Sequence, residues 1–346
     1  MEVATLKMFR ALPPYFGGKR RLVGEIFRHI PPSLEAPVFV DAFLGGGSVS
    51  LFAKARGFEV VANDIATRSA VVGRALIENS ENRLVEEDLL RLFVPNAEAK
   101  AFVASRFSPG TFTSRCAQFL DLAVVNARRV PEPKRSLLLL ALVKFAFRCR
   151  PHGNFGARSI VFQIEEGRWD EVNPAYAREH LNRRINSHPI RAIRAIADEI
   201  NAGVFSNGKR NQVHQRDAAE FLSTVEGDVA YLDPPYASTT SYESALRVID
   251  SMLAGEDVRL EMSAFSARDA SGAVDHLLDS ARHIRRWIIS YGNAAVSLSE
   301  FSALVARHRP VIFASEIAYR HCMGLANEET SERNREFIVV AERKGS

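Results

Sequence analysis

Pro37–Val38–Phe39–Val40–Asp41–Ala42–Phe43–Leu44–Gly45–Gly46–Gly47–Ser48 decides the fold. A short β-branched and aromatic run reads as a buried strand over 37–43. Three consecutive glycines follow, and then an apolar-periodic helix to about residue 56. Strand, glycine loop and helix form the geometry of a nucleotide site. The glycines remove side-chain bulk, and the first helix amides point at the ligand. No Gly-Lys-Ser/Thr completes a phosphate loop, and Gly-x-Gly-x-x-Gly is absent in full. A second strand, 59–62, ends at Asn63–Asp64, where a ribose diol needs an acceptor. Packing alone accounts for the glycines but not for Asp64.

Working outward, Pro13–Pro14–Tyr15–Phe16–Gly17–Gly18–Lys19 precedes an amphipathic helix to about residue 29. The paired glycines permit close backbone approach to a ligand, and Lys19 suits a carboxylate. A plain helix-start loop explains the same residues. A helix over 65–79 completes the second β–α unit. The alternation then lapses until a strand at 212–215, with Asp217 at its tip. Next come a helix to 224, a strand at 228–232, a helix at 242–253 and another near 273–282. A strand at 286–291, a helix at 299–306 and strands at 311–315 and 336–341 close the order. This is an α/β fold with a mainly parallel sheet and a final antiparallel hairpin. Asp41, Asp64, Asp217 and Asp233 all fall at carboxyl ends of strands, the rim at which such sheets bind ligands.

The fourth strand runs into Asp233–Pro234–Pro235–Tyr236. Two prolines stiffen the bend and remove amide donors, leaving neighbouring carbonyls free to accept. A carboxylate, a free carbonyl and an aromatic ring suit a planar ring carrying an exocyclic amine. An ordinary turn fits the tetrapeptide equally well.

The chain has 346 residues, 47% of them hydrophobic, which excludes extensive disorder. Cys116, Cys149 and Cys322 form no Cys-x-x-Cys pair, so neither a zinc site nor a disulfide framework is expected. The N-terminus lacks a signal-peptide pattern, and the longest apolar run, 137–143, cannot span a bilayer. A cytoplasmic, nucleoid-associated protein without a membrane partner is expected. The net charge of +4 is uneven: residues 115–216 hold 18 Lys+Arg against 9 Asp+Glu. Such a basic middle suits a polyanion, though solvated helix faces carry similar charge. Within it, Arg148, Arg150, Asn154 and Arg158 lie in a glycine- and aromatic-containing stretch suited to a DNA groove.

Tyr15–Phe16–Gly17–Gly18–Lys19, Asp41 to Ser48, Asn63–Asp64 and Asp233 to Tyr236 occur in that order. The set resembles the Dam-type (D12 class) DNA adenine-N6 methyltransferases. The resemblance implies the S-adenosylmethionine-dependent methyltransferase fold: a Rossmann-like, mainly parallel seven-stranded sheet. Residues 1–79 and 205–346 would form the catalytic domain, and 80–204 a mostly helical inserted target-recognition domain. By the same resemblance Tyr15, Gly17, Gly18, Lys19, Asp41, Phe43, Gly45, Gly46, Gly47, Ser48, Asp64 and Asp217 would bind S-adenosyl-L-methionine. Asp233, Pro234, Pro235 and Tyr236 would be catalytic. Double-stranded DNA is the implied partner, with a cognate restriction endonuclease in a restriction-modification setting. Only Arg148, Arg150, Gly153, Phe155 and Gly156 echo the family's target-reading element. Its Phe-Asn-x-Pro core is missing, so no particular target sequence is implied.

Other readings share these features. An RNA adenine presents the same conjugated amine, as does a protein glutamine, although glutamine methylases resemble Asn-Pro-Pro-Tyr instead. A catalytically silent DNA-binding subunit would keep the basic surface without needing an intact Asp-Pro-Pro-Tyr.

Overall fold

The structure is a computed structural model describing residues 7–15, 17–149, 166, 188–236, 242–259, 263–267, 270–318 and 334–343. Its centre is a seven-stranded sheet in the order β3-β2-β1-β4-β5-β7-β6. The strands are β1 (Val38–Asp41), β2 (Glu59–Asn63), β3 (Gln212–His214), β4 (Val229–Leu232), β5 (Arg286–Gly292), β6 (Val311–Ala318) and β7 (Arg335–Glu342). The first five run parallel, and β7 pairs antiparallel with both β5 and β6. This is the Rossmann-like methyltransferase order, with its reversed terminal hairpin. Chain direction through the sheet reverses at β1, which lies between β2 and β4. The crevice at that switch point, beyond the strand ends, is where such sheets hold ligands.

Alternation along the strands divides the core between two faces. On β1, Phe39 faces one hydrophobic cluster while Val40 and Ala42 at its end face the other. On β5 the split is Ile288 against Trp287 and Ile289, and on β7 it is Ile338 and Val340 against Phe337, Val339 and Ala341. Central strands covered on both sides need an unbroken apolar run, which explains why β4 is buried throughout.

Helices α1 (Val23–Phe27), α2 (Ser48–Ala55) and α3 (Thr67–Gly73) follow the first elements, and α3 runs into a π turn, Arg74–Glu78. Next come α4 (Glu86–Arg91), α5 (Phe102–Phe107), α6 (Ser114–Arg128), α7 (Lys134–Cys149) and α8 (Pro189–Asn201). The apolar residues of α7 are buried all round, and it packs on α3, the π turn, α6 and α8. The first cluster therefore continues from the sheet through these helices. Cys116 and Cys149 meet between α6 and α7 as buried thiols with sulfurs 3.6 Å apart. Burial pushes the Cys149 thiol well up from its ordinary value.

The remaining helices are α9 (Ala218–Thr224), α10 (Tyr242–Ala254), α11 (Ser271–Ser280) and α12 (Leu298–Ala306). Apolar residues of α9, α11 and α12 cover the second face of the sheet. Among the described residues no helix is long and apolar enough to cross a membrane, and no His/Cys/Asp/Glu group could hold a metal ion.

Candidate active site

A cavity of about 540 Å³ opens at the carboxyl ends of β1, β2 and β4. Tyr15, Gly17, Gly18, Lys19, Asp41, Phe43, Gly45, Gly46, Ser48, Asp64, Asp217 and Asp233 to Tyr236 all line it. Segments far apart in sequence thus share one space, of the size that small-ligand sites occupy.

The glycine loop forms one wall because Tyr15 lies across it. A methyl group added at Gly46 would sit 2.6 Å from Tyr15 Cβ, and one at Gly45 3.0 Å from Tyr15 Cε1. Gly45 and Gly47 also have φ of +52° and +77°, so this loop conformation calls for glycine. Asp64 pins the same wall from β2. Its Oδ2 accepts from the Gly45 amide at 2.8 Å and its Oδ1 from the Ala66 amide at 2.8 Å. Burial raises the Asp64 carboxyl, while those amides and Arg68 pull it back down. Beside it Ile65 is 69% exposed, an apolar side chain held open on the cavity. Asp217 caps α9 by accepting from Ala219 and Glu220 amides. Phe43 meets Phe265 edge-on, centroids 5.5 Å apart.

The opposite wall is a buried ionic cluster. Lys19 Nζ lies 2.9 Å from Asp233 Oδ2 and 3.2 Å from Glu336 Oε1, and donates to Tyr236 Oη at 2.8 Å. Tyr236 Oη donates to Asp233 Oδ1 at 3.2 Å and bonds closely to Glu336 Oε1. The Tyr236 ring is buried, 5.2 Å from Tyr291 and against Gly292, where a Cβ would come within 2.6 Å of it. Two carboxylates therefore share one ammonium away from bulk water. Burial raises Asp233, opposed chiefly by Lys19. Burial likewise pushes Glu336 up to about 7.

Residues 15–149 match the family model of the D12 class N6 adenine-specific DNA methyltransferases. The type II methyltransferase M2.HphI of Haemophilus parahaemolyticus is 25% identical over 335 residues, 95% of this chain and 97% of that protein. The type II methyltransferase M.NlaIII of Neisseria lactamica is 23% identical over 260 residues, 70% of each chain.

Several side chains of this site were not evident from sequence. Glu336 arrives from β7, where only an acid at the head of an apolar run hints at it. Arg68, buried on α3, pairs with Asp250 of α10 and stands beside Tyr15 and Asp64. Burial raises the Tyr15 hydroxyl, with Arg68 the main opposing influence. Of the residues assigned to DNA, Arg148 is half-buried at the end of α7, its guanidinium on both oxygens of Glu199 at 2.6 and 2.5 Å. Arg150, Asn154 and Arg158 lie outside the described residues.

Asp41 lines the cavity but is 1% exposed. Its carboxylate accepts from Ser50 Oγ at 2.6 Å and the Phe43 amide at 3.2 Å, which ties the β1 end to α2 and the loop. Burial raises it to about 7. A carboxyl raised in the folded state stabilises when protonated, and that contribution disappears as pH climbs from its unfolded value through 7. Asp41→Asn removes the titration. Its stability relative to wild type should therefore improve by about 4 kcal/mol between pH 4 and pH 9. Urea unfolding at the two pH values measures it, and a difference independent of pH would exclude a perturbed Asp41.

Proposed function

We propose that this protein is a site-specific DNA adenine-N6 methyltransferase. Its methyl donor is S-adenosyl-L-methionine and its substrate an adenine flipped out of duplex DNA. The observation that carries this reading is the single cavity joining the glycine loop and Asp64 to Asp233–Pro234–Pro235–Tyr236. One end suits a nucleoside and the other an exocyclic amine.

The residues fit the donor. The glycine wall, where a Cβ at Gly46 would collide with Tyr15, admits close backbone approach. Asp64 keeps lone pairs for ribose hydroxyls beyond its two amide bonds, and Ile65 offers an apolar surface for the adenine. Asp217 stands at the tip of β3 for a base edge, and Phe43 borders the path toward Asp233. Bound there, the donor supplies an electrophilic methyl group on a sulfonium.

The protein's part is to prepare the nitrogen. Adenine N6 is a poor nucleophile because its lone pair is delocalised into the ring. Asp233 and the Pro234 carbonyl each accept an N6 hydrogen, drawing the nitrogen toward a tetrahedral shape with its lone pair on the methyl group. Transfer is then a direct in-line displacement that needs no covalent enzyme intermediate. Positioning and fixed dipoles supply the acceleration. Tyr236 stacks against the flipped base, whose removal from the duplex costs a few kcal/mol.

Tritium transfer from labelled donor to duplex DNA, followed by nucleoside analysis, tests the reading. Label in N6-methyladenine supports it. Label accepted only by RNA or protein, or by nothing, overturns it.

Asp64→Ala should weaken donor binding by roughly ten- to a hundredfold, the worth of a charged hydrogen bond of about 1.5–3 kcal/mol. Calorimetric titration reads this, and an unchanged affinity would reduce Asp64 to a tether for the Gly45 amide.

Target reading belongs, on this proposal, to the inserted 80–204 region, with Arg148, Arg150, Asn154 and Arg158 toward DNA. The helices α5 to α8, continuous with the core, would anchor it. An Arg→Ala substitution that frees one phosphate should flatten the salt dependence of DNA binding by about one log–log unit. One that frees a base edge should instead relax sequence choice at one position. Unchanged binding in Arg148, Arg150 and Arg158 variants alike would place the reading surface elsewhere. A cognate restriction endonuclease with the same target is the partner this reading brings with it.

A further inference from the structure

We propose that Glu336 is the store for the proton released from N6, reached from Asp233 through the Tyr236 hydroxyl. The proposal rests on the methyltransferase reading above.

Geometry carries it. Tyr236 Oη bridges the two acids, bonded to Asp233 Oδ1 at 3.2 Å and closely to Glu336 Oε1. Glu336 is 0% exposed, and its second oxygen, Oε2, has no hydrogen-bond partner among the described residues. A buried carboxylate oxygen without a donor is costly when charged and comfortable when protonated. Strand pairing fixes it there: on β7 it stands opposite Gly292 of β5 and Ile317 of β6. Among the described residues the titratable groups around it are Lys19, Asp233 and Tyr236, with Tyr231 on β4 close enough to feel it.

Charge explains when the store fills. With both acids ionised, the Lys19–Asp233–Glu336 cluster carries one net negative charge, which a neighbouring sulfonium favours. As the N6–CH₃ bond forms, the S–CH₃ bond breaks and leaves its electron pair on sulfur, so that cation disappears. The N6–H bonding pair stays on nitrogen, and its proton passes to the Asp233 carboxylate. Tyr236 takes that proton at its hydroxyl oxygen while handing its own to Glu336. Local charge is unchanged across the step, and no oxidant or reductant is involved. Glu336, raised to about 7 in the free protein, exchanges a proton readily near neutral pH.

The test compares two ligands on the free protein. S-Adenosylmethionine is a sulfonium cation at its sulfur; S-adenosylhomocysteine is a neutral thioether of nearly the same shape. Calorimetry in buffers of different ionisation enthalpy counts protons exchanged on binding. At pH 7 the sulfonium should expel about half a proton from the pair, and the thioether markedly less. Glu336→Gln should abolish that difference without shifting the thermal midpoint downward. It should also slow single-turnover methyl transfer by about a hundredfold at pH 8. Equal proton counts for the two ligands in wild-type protein would overturn the proposal, whatever the folding of the variant. So would a Glu336→Gln variant that keeps the difference. If neither ligand binds, the methyltransferase reading falls, and this proposal with it.

Discussion

Asp233→Ala should lower methyl transfer by roughly 10²- to 10⁴-fold, the range for removing a positioned acceptor from a reacting group. Donor affinity should stay near wild type. The substitution deletes the carboxylate assigned to the N6 amine, whereas Asp64, the proposed ribose acceptor, follows a different strand. It should also be well tolerated in folding. Lys19 keeps Glu336 as a partner at 3.2 Å, so the buried cluster passes from two acids and one base to one of each. A turnover assay with a parallel donor titration reads both quantities. Near-wild-type turnover would remove Asp233 from the chemistry, and a collapse in donor affinity would move it to the donor site.

Lys19→Met has the opposite electrostatic consequence. Lys19 is 3% exposed and lies against half-buried Asp233 and buried Glu336, so its loss removes the ammonium that these two carboxylates share. Breaking a buried pair in this way costs about 3–5 kcal/mol. The sign with pH follows from the ammonium, which is the main influence holding both acids down against burial. Without it their folded-state values rise further, and stability drains away as pH climbs through them. The loss should therefore be full at pH 8 and shrink toward pH 5, where both acids bind protons. Urea unfolding at the two pH values is the measurement. A loss below about 1 kcal/mol, the range of an exposed pair, would contradict the cluster.

The contrast shows which parts of the molecule sequence could disclose. The sheet was legible because its strands are short apolar runs between turn signals, and every anticipated strand lies within about three residues of its observed ends. The place of Asp64 beside the glycine loop was legible because it follows from one local unit, strand then glycine loop then strand. Lys19 was not. The glycines before it suggest a ligand site, but its observed partners lie 217 residues away at Tyr236 and beyond, at Glu336. Glu336 depends on the β5–β7 register, which sets it opposite Gly292 and so beside Tyr236. Nothing within its own strand states that register. Arg148 illustrates the same point on the basic side, since its ion pair with Glu199 requires α7 and α8 to pack together. Helix α6, with a weaker apolar stripe, gave no distinct signal at all.

The buried polar groups divide along similar lines. Lys54 donates to the carbonyls of Leu76 and Asn79, closing the π turn beneath α3, and burial lowers it to about 8. Lys144 does comparable work on Arg10 and Leu12, with Glu199 beside it. Both lie away from the cavity and hold loops in place. The acids of the cavity rim differ in that each faces both the fold and the open space where ligands would sit.

Single-molecule sequencing of genomic DNA decides most directly whether this chain methylates adenine at a defined site. The DNA would come from a host without adenine methylation of its own, expressing either the wild-type chain or Asp233→Ala. The expected result is N6-methyladenine at one short sequence throughout the wild-type sample and none in the variant. Unmodified DNA, modification of another base, or an identical pattern in the variant would contradict it.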